Sequence, residues 1–366
     1  MTCPIPTFSP GRYETMKYRF CGHSGLKLPL LSLGLWQNFG GDRPYAHQQA
    51  IVHRAFDLGI THFDLSNNYG PPVGAAEQNF GKILRDGLGA YRRELVISTK
   101  AGYRAWPGPY GDGGSRKYLI AACEDSLRRT GLEYFDIFYH HRMDTEVPVD
   151  ETMGALDQLV RQGKALYIGV SSHTGAHFAA AARAIKKQGL TRLTSLMSRY
   201  NLLQRDDEND KWPIAAEQGV GGVAFCPLAQ GLLTSKYLGD SAPAGSRMAH
   251  EIQNGGGREV LLENIKQARL LNEIARARGQ TLAQMALAWV LRQPGIASAL
   301  IGASSPAQVE ENVGALAHLE FSAAELARID AITRAPKSAE LPAQVLPASG
   351  HIQTFTPPPA PARSGV

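Results

Sequence analysis

Cysteine, net charge and long apolar runs are all scarce in this chain, and each shortage removes a class of function. Only four cysteines occur among 366 residues: Cys3, Cys21, Cys123 and Cys226. None forms a CxxC pair or falls at metal-ligand spacing, so neither a disulfide-stapled fold nor a zinc site is expected. Such sparse thiol usage suits a reducing compartment. No stretch approaches the ~18 uninterrupted apolar residues of a membrane span, and the start Met1-Thr2-Cys3-Pro4 has no apolar signal core. A cytoplasmic location without a membrane partner is the expectation. The formal charge is only +5, and the densest basic patch, residues 183–187, reads as the wet face of a helix. Without basic runs interleaved with aromatics, no nucleic-acid partner is expected. One further absence matters most. No GxGxxG follows any strand-like segment, and the glycine clusters at 111–114 and 219–222 leave the pattern incomplete. The dinucleotide-binding doubly wound fold is therefore excluded.

What remains is a soluble composition, 43% hydrophobic and 19% charged, organised as a regular alternation. Strand-like segments are expected at 28–36, 61–66, 94–100, 134–141, 165–172, 193–200, 222–228 and 297–304. Several are nearly continuous apolar runs, as strands covered on both faces should be. Helical patterns at 47–58, 76–84, 117–129, 150–162 and 176–187 lie between them. Eight strands, each followed by a helix, predict an α/β fold of the (β/α)₈ TIM-barrel type. The expected layout is a leader at 1–16, a barrel domain at 17–335 opening with a short hairpin around residues 21–25, and a tail at 336–366. The proline-rich end of that tail is expected to be disordered. Two long loops should extend the barrel mouth: 102–115, with Trp106 and Tyr110, and 239–257, with Arg247.

Four polar residues stand where strands end: Asp64, Tyr69, Lys100 and His141. Singly they mean little, since Asp64 could cap a helix and Lys100 could be a solvated strand end. Together, at the C-terminal ends of three successive barrel strands, they can build a proton-donating site for carbonyl reduction. A phenol titrates near ~10 and is a poor acid at neutral pH. An ammonium against it is expected to lower that pKa, and a carboxylate would keep the ammonium charged. A histidine can orient the carbonyl.

At these residues the chain resembles the aldo-keto reductases, and within them the bacterial L-glyceraldehyde 3-phosphate reductases, relatives of the potassium-channel β-subunits. The likeness runs through Phe63-Asp64-Leu65-Ser66-Asn67-Asn68-Tyr69-Gly70, Ser98-Thr99-Lys100-Ala101-Gly102, Tyr139-His140-His141-Arg142, Pro227-Leu228-Ala229-Gln230-Gly231 and Ile301-Gly302-Ala303-Ser304. The loop Trp106-Pro107-Gly108-Pro109-Tyr110-Gly111 narrows it to the glyceraldehyde-phosphate subgroup.

The resemblance implies NADPH as hydride donor, with NADH weaker, and Tyr69 as general acid assisted by Asp64, Lys100 and His141. It implies small aldehydes as substrates, glyceraldehyde 3-phosphate and methylglyoxal-like 2-oxoaldehydes, met by Trp36, Tyr69, Trp106, Tyr110 and His141. Cofactor contacts are implied at Trp36, Asp64, Ser171, Ser172, Met197, Cys226, Pro227, Leu228, Ala229, Gln230, Gly231 and Lys236. The adenosine end is implied at Gly302, Ser304, Gln308, Glu311 and Asn312, near a helix opening at Ser305-Pro306. No metal is implied, and a homo-oligomer is compatible.

The chain departs from its relatives at two points. Met197 stands where glutamine commonly holds the nicotinamide amide, which would shift that duty to Ser171, Ser172 and packing by Tyr200 or a neighbour. Ser305 stands where a basic residue is common, which leaves Arg247 to meet a 2′-phosphate. For a substrate phosphate, Arg142, Arg104 and Arg116 are unranked candidates. Two other readings compete: a cofactor-sensing binding subunit with slow turnover, and a metal-dependent barrel hydrolase using His140 and His141. The latter meets the objection that neighbouring strand residues project to opposite faces.

Overall fold

A computed structural model describes residues 5–239 and 258–334. Eight parallel strands close into a barrel: β3 (Leu31–Gly34), β4 (His62–Asp64), β5 (Val96–Ala101), β6 (Phe135–His140), β7 (Ala165–Ser171), β8 (Leu193–Arg199), β9 (Gly221–Phe225) and β10 (Ile296–Ile301). The last, β10, pairs with the first, β3. The register sets Asp64 beside Ser98 and Lys100 beside Tyr139, so the polar strand ends converge on one mouth.

The sequence segment 28–36 divides into two pieces. Lys27–Pro29 (β2) pairs with Tyr18–Phe20 (β1) as an antiparallel hairpin, and only Leu31–Gly34 enters the barrel. Pro29 has no N–H for a continuous ladder, which suits it to a break between the two. The hairpin closes the N-terminal end of the barrel. Leu28 and Cys21, both fully buried, join Ile137, Tyr139, Met197, Val223 and Leu300 in one interior cluster. Contact here is tight enough that a side chain at Gly221 would put its Cβ 2.5 Å from the Gly22 nitrogen.

A second apolar layer lies between the strands and the helices around them. Helix limits follow from caps. Ser115 accepts from the Tyr118 N–H and Gly131, left-handed, ends the helix Arg116–Thr130; Thr174 and Gly189 do the same for Gly175–Gln188. The leader is docked, with the Phe8 ring 4.8 Å from Phe56 and 5.2 Å from Tyr91. The helix Leu282–Leu291 is buried at every position except Gln284. Among the described residues no helix is long and apolar enough to cross a membrane. Cys3, Arg247, most of the 239–257 loop and the tail from 336 onward lie outside the described residues.

Candidate active site

Asp64 and Lys100 form a buried ion pair at the mouth end of the barrel. Asp64 is fully buried and Lys100 is 1% exposed. Lys100 Nζ donates to Asp64 Oδ2 at 2.5 Å and to the Leu65 carbonyl at 2.6 Å. The same nitrogen lies 4.9 Å from the centre of the Tyr69 ring. Tyr69 is placed by a short turn in which its N–H donates to the Ser66 carbonyl at 3.1 Å. Ser66 Oγ in turn lies 3.0 Å from His141 Nδ1. The His141 ring stands edge-on to Tyr69, with centroids 6.0 Å apart. Carboxylate, ammonium, phenol and imidazole therefore lie close together at one mouth of the barrel.

Burial pulls the Lys100 pKa down, and Asp64, as counter-charge and hydrogen-bond acceptor, opposes it. Burial, then the Lys100 charge and His140 and Arg142, hold His141 well below the usual imidazole range, so it is neutral. Tyr69 departs from the sequence expectation. Its pKa is pushed well above 10, chiefly by burial and further by Asp64, Cys226 and Tyr103. The ammonium bonds Asp64 and Leu65 and faces the phenol ring. His140 points the other way, its Nδ1 3.4 Å from His173 Nε2. The two neighbouring imidazoles thus face opposite sides of β6, and they cannot share a metal.

The aromatic candidates separate. The Trp36 ring lies 6.3 Å from the Tyr69 ring, beside the other three groups. Trp106 is half-buried and packs on Tyr118 at 4.9 Å. Tyr110 is 59% exposed, with only the Lys117 ammonium described against its ring. Tyr103, which the sequence reading missed, sits edge-on to His141 at 4.7 Å. Its place directly after Lys100-Ala101-Gly102 was the available signal. Tyr200 is fully buried and stacks on Trp289 in the outer layer, its hydroxyl bonded to Glu208. It cannot pack beneath a ring in the mouth, because residues alternate along β8 and Ser195 and Met197 face inward.

By the same alternation Arg199 ends β8 on the inward side, over the Phe225 ring at 5.7 Å. Its charge reaches Tyr103, whose pKa burial raises and Arg142 and Arg199 oppose. Among the described residues Arg199 forms no ion pair. The other arginine candidates differ: Arg142 is held by Asp112 and the Gly102 carbonyl, and Arg116 by Gly154 and Gln158, while Arg104 is exposed.

The positions expected to meet a cofactor carry an unusual backbone. Among the described residues five non-glycines adopt left-handed φ: Gln37 (63°), Ser172 (54°), Cys226 (51°), Ala229 (47°) and Gln230 (57°). Each follows the C-terminal end of a barrel strand, and each conformation costs about 1–3 kcal/mol. The strain is thus concentrated at one rim of the barrel. Gly302 borders open space. Ser305 caps the helix Pro306–Val313, and Gln308 holds Ser304 through its N–H at 2.8 Å and its hydroxyl at 3.0 Å. Asn312 is buried, whereas Lys236 and Glu311 are exposed. Met197 is 1% exposed and packs with apolar neighbours.

Comparison with known proteins agrees with this geometry. The model of the aldo/keto reductase family matches residues 30–334. L-glyceraldehyde 3-phosphate reductase of Escherichia coli (strain K12) is 53% identical over 326 residues, 88% of this chain and 94% of that protein. A putative voltage-gated potassium channel subunit beta of Schizosaccharomyces pombe is 36% identical over 326 residues, 87% and 94% of the two chains. A probable subunit of the same kind from Arabidopsis thaliana is 33% identical over 303 residues, 82% and 91%. A closed (β/α)₈ barrel, a family match across nearly all of it, and a relative identical at half its positions lead to one conclusion: the chain belongs to the aldo/keto reductase family of oxidoreductases.

Proposed function

We propose that the chain reduces small aldehydes to alcohols with NADPH, L-glyceraldehyde 3-phosphate foremost and 2-oxoaldehydes such as methylglyoxal beside it. One observation carries the reading: a buried Asp64–Lys100 pair lies against the face of Tyr69, with neutral His141 edge-on to the same ring. When bound, the cofactor supplies a hydride to the carbonyl carbon. The protein's part is to hold the carbonyl oxygen and protonate it. His141, fixed through Nδ1 by Ser66, presents its other ring nitrogen to that oxygen. Tyr69 keeps its proton in the resting site because its pKa is raised. It releases the proton to the far more basic alkoxide, and Lys100 then faces the phenolate with Asp64 as its own counter-charge.

The strained rim fits a dinucleotide laid across the mouth. Cys226, Pro227, Leu228, Ala229, Gln230 and Gly231 would hold the pyrophosphate, with Ser171 and Ser172 at the nicotinamide. Ser304, Gln308 and Asn312 would meet the adenosine end, where the helix at Pro306 favours anions. The reading places this chemistry in the cytoplasm, on a small-molecule substrate, with neither nucleic acid nor membrane involved. Arg199 is the guanidinium placed to meet a substrate phosphate.

The test is a panel of phosphorylated and unphosphorylated aldehydes with NADPH and with NADH, compared by kcat/KM. NADPH-driven turnover favouring the phosphorylated triose is expected. Tight cofactor retention without turnover on any aldehyde would move the protein to the alternative, a β-subunit-like cofactor sensor.

A further inference from the structure

A line of buried hydroxyl and imidazole groups crosses the barrel and ends on the carboxylate of the site. Ser298 Oγ is 2.6 Å from Ser32 Oγ, and Ser32 Oγ is 2.8 Å from His62 Nδ1. His62 Nε2 is 2.9 Å from Ser98 Oγ, and Ser98 Oγ is 2.6 Å from Asp64 Oδ1. Ser298, Ser32, His62 and Ser98 are all fully buried and come from four adjacent strands, β10, β3, β4 and β5.

Counting donors gives the line a direction. The Asp64 carboxylate, paired with the Lys100 ammonium, can only accept. The single hydroxyl proton of Ser98 is therefore spent on Asp64 Oδ1, and Ser98 Oγ accepts from the other side. That requires a proton on His62 Nε2. Burial brings the His62 pKa down to about 4, with Asp64 raising it and Lys100 lowering it, so the ring is neutral and Nδ1 is bare. Nδ1 then accepts from Ser32, and Ser32 from Ser298. Four donors point the same way, toward Asp64.

We propose that His62 and Ser98 are positioning residues for the reduction. The Nε2–H tautomer of His62 holds Ser98 as a donor onto Asp64, and so fixes the carboxylate that fixes Lys100. The proposal rests on the reductase reading for its kinetic consequence and on geometry alone for the tautomer. A buried polar line also has a plain structural use, since each group satisfies the next. The two differ in what moves when a link is cut. A hydrogen bond to a charged group is worth enough that losing it should change rate by about tenfold or more. Because both residues are fully buried beneath Asp64, NADPH affinity should change far less than kcat.

The test pairs spectroscopy with kinetics on the full chain. In ¹⁵N-histidine-labelled protein, the signal lost in His62→Gln identifies His62, which is expected as a neutral ring protonated at Nε2. In Ser98→Ala that tautomer should lose its bias. In turnover, Ser98→Ala and His62→Leu should each lose about tenfold in kcat with NADPH affinity retained. Ser98→Thr and His62→Gln keep a donor and an acceptor at the same places, and both should stay near the wild-type rate. A His62 ring protonated at Nδ1 in the wild type would reverse the line and overturn the proposal. So would Ser98→Ala and His62→Leu variants that fold and turn over at the wild-type rate. If no aldehyde is reduced, the reductase reading fails and the tautomer measurement still decides the positioning. If His62→Leu does not fold, Ser98→Ala and the spectrum carry the test.

Discussion

The two ends of the barrel are built from different materials. At the closed end, hairpin residues Cys21 and Leu28 share a buried cluster with Ile137, Tyr139 and Val223, and glycine admits the hairpin turn at Gly221. At the open end the backbone holds five left-handed non-glycines, an ion pair lies under an aromatic ring, and the Arg199 guanidinium forms no ion pair among the described residues. The closed end has its partners within the chain. The open end keeps strain and charge that a bound molecule can relieve, which is how a stable scaffold carries a reactive site. Substitutions at the closed end should therefore change stability and leave chemistry alone. Those at the open end should change chemistry, with one exception.

The exception is Lys100, where both ends of this contrast meet. Lys100→Met strands the buried Asp64 charge, and a loss of about 3–5 kcal/mol is expected, read by urea denaturation, together with loss of turnover. A variant as stable as the wild type would mean that the pair contributes nothing to folding. Next comes Leu28→Ala, which opens a cavity in the barrel floor and should cost about 2–5 kcal/mol. Its kcat, measured well below the melting temperature, should match the wild type; a large drop in kcat would erase the distinction between the two ends.

Arg199→Gln should reverse the pattern, leaving the melting temperature in place. Loss of one charge-assisted contact predicts a fall of about ten- to a hundredfold in kcat/KM for glyceraldehyde 3-phosphate, with unphosphorylated glyceraldehyde nearly unaffected. Equal losses for both substrates, with weaker NADPH binding, would assign the guanidinium to the cofactor instead. The smallest effect is expected at Met197→Leu, a volume-conserving change in an apolar cluster, at under about 1.5 kcal/mol. Unchanged NADPH affinity should accompany it, and weakened binding would bring Met197 into the site.

Much of this contrast could be read in the sequence. The alternation of apolar runs with helical patterns fixed the barrel, because strands buried on both faces leave a strong signal. Strand parity separated His141 from His140 correctly, and the same rule applied to β8 would have sent Tyr200 outward once Met197 was taken as inward. The hairpin over 17–28 was legible, but its border with the first barrel strand was drawn at Leu28, whereas Pro29 still belongs to the hairpin and the barrel strand begins at Leu31. Tyr103 and Arg199 escaped notice because a loop residue and a strand-end arginine have no periodic signature. The direction of the Tyr69 pKa was beyond a sequence argument as well. It depends chiefly on how deeply the phenol is buried, and further on Asp64, Cys226 and Tyr103 around it.

The most direct test of the open end as a proton-donating site is Tyr69→Phe, assayed for kcat and, separately, for NADPH affinity. The ring stays and only the transferable proton goes. The expected result is a loss of about 10²–10⁴ in kcat, equivalent to roughly 3–5 kcal/mol of barrier, with cofactor affinity and melting temperature unchanged. A variant that kept half of its activity would contradict the assignment of Tyr69 as the acid.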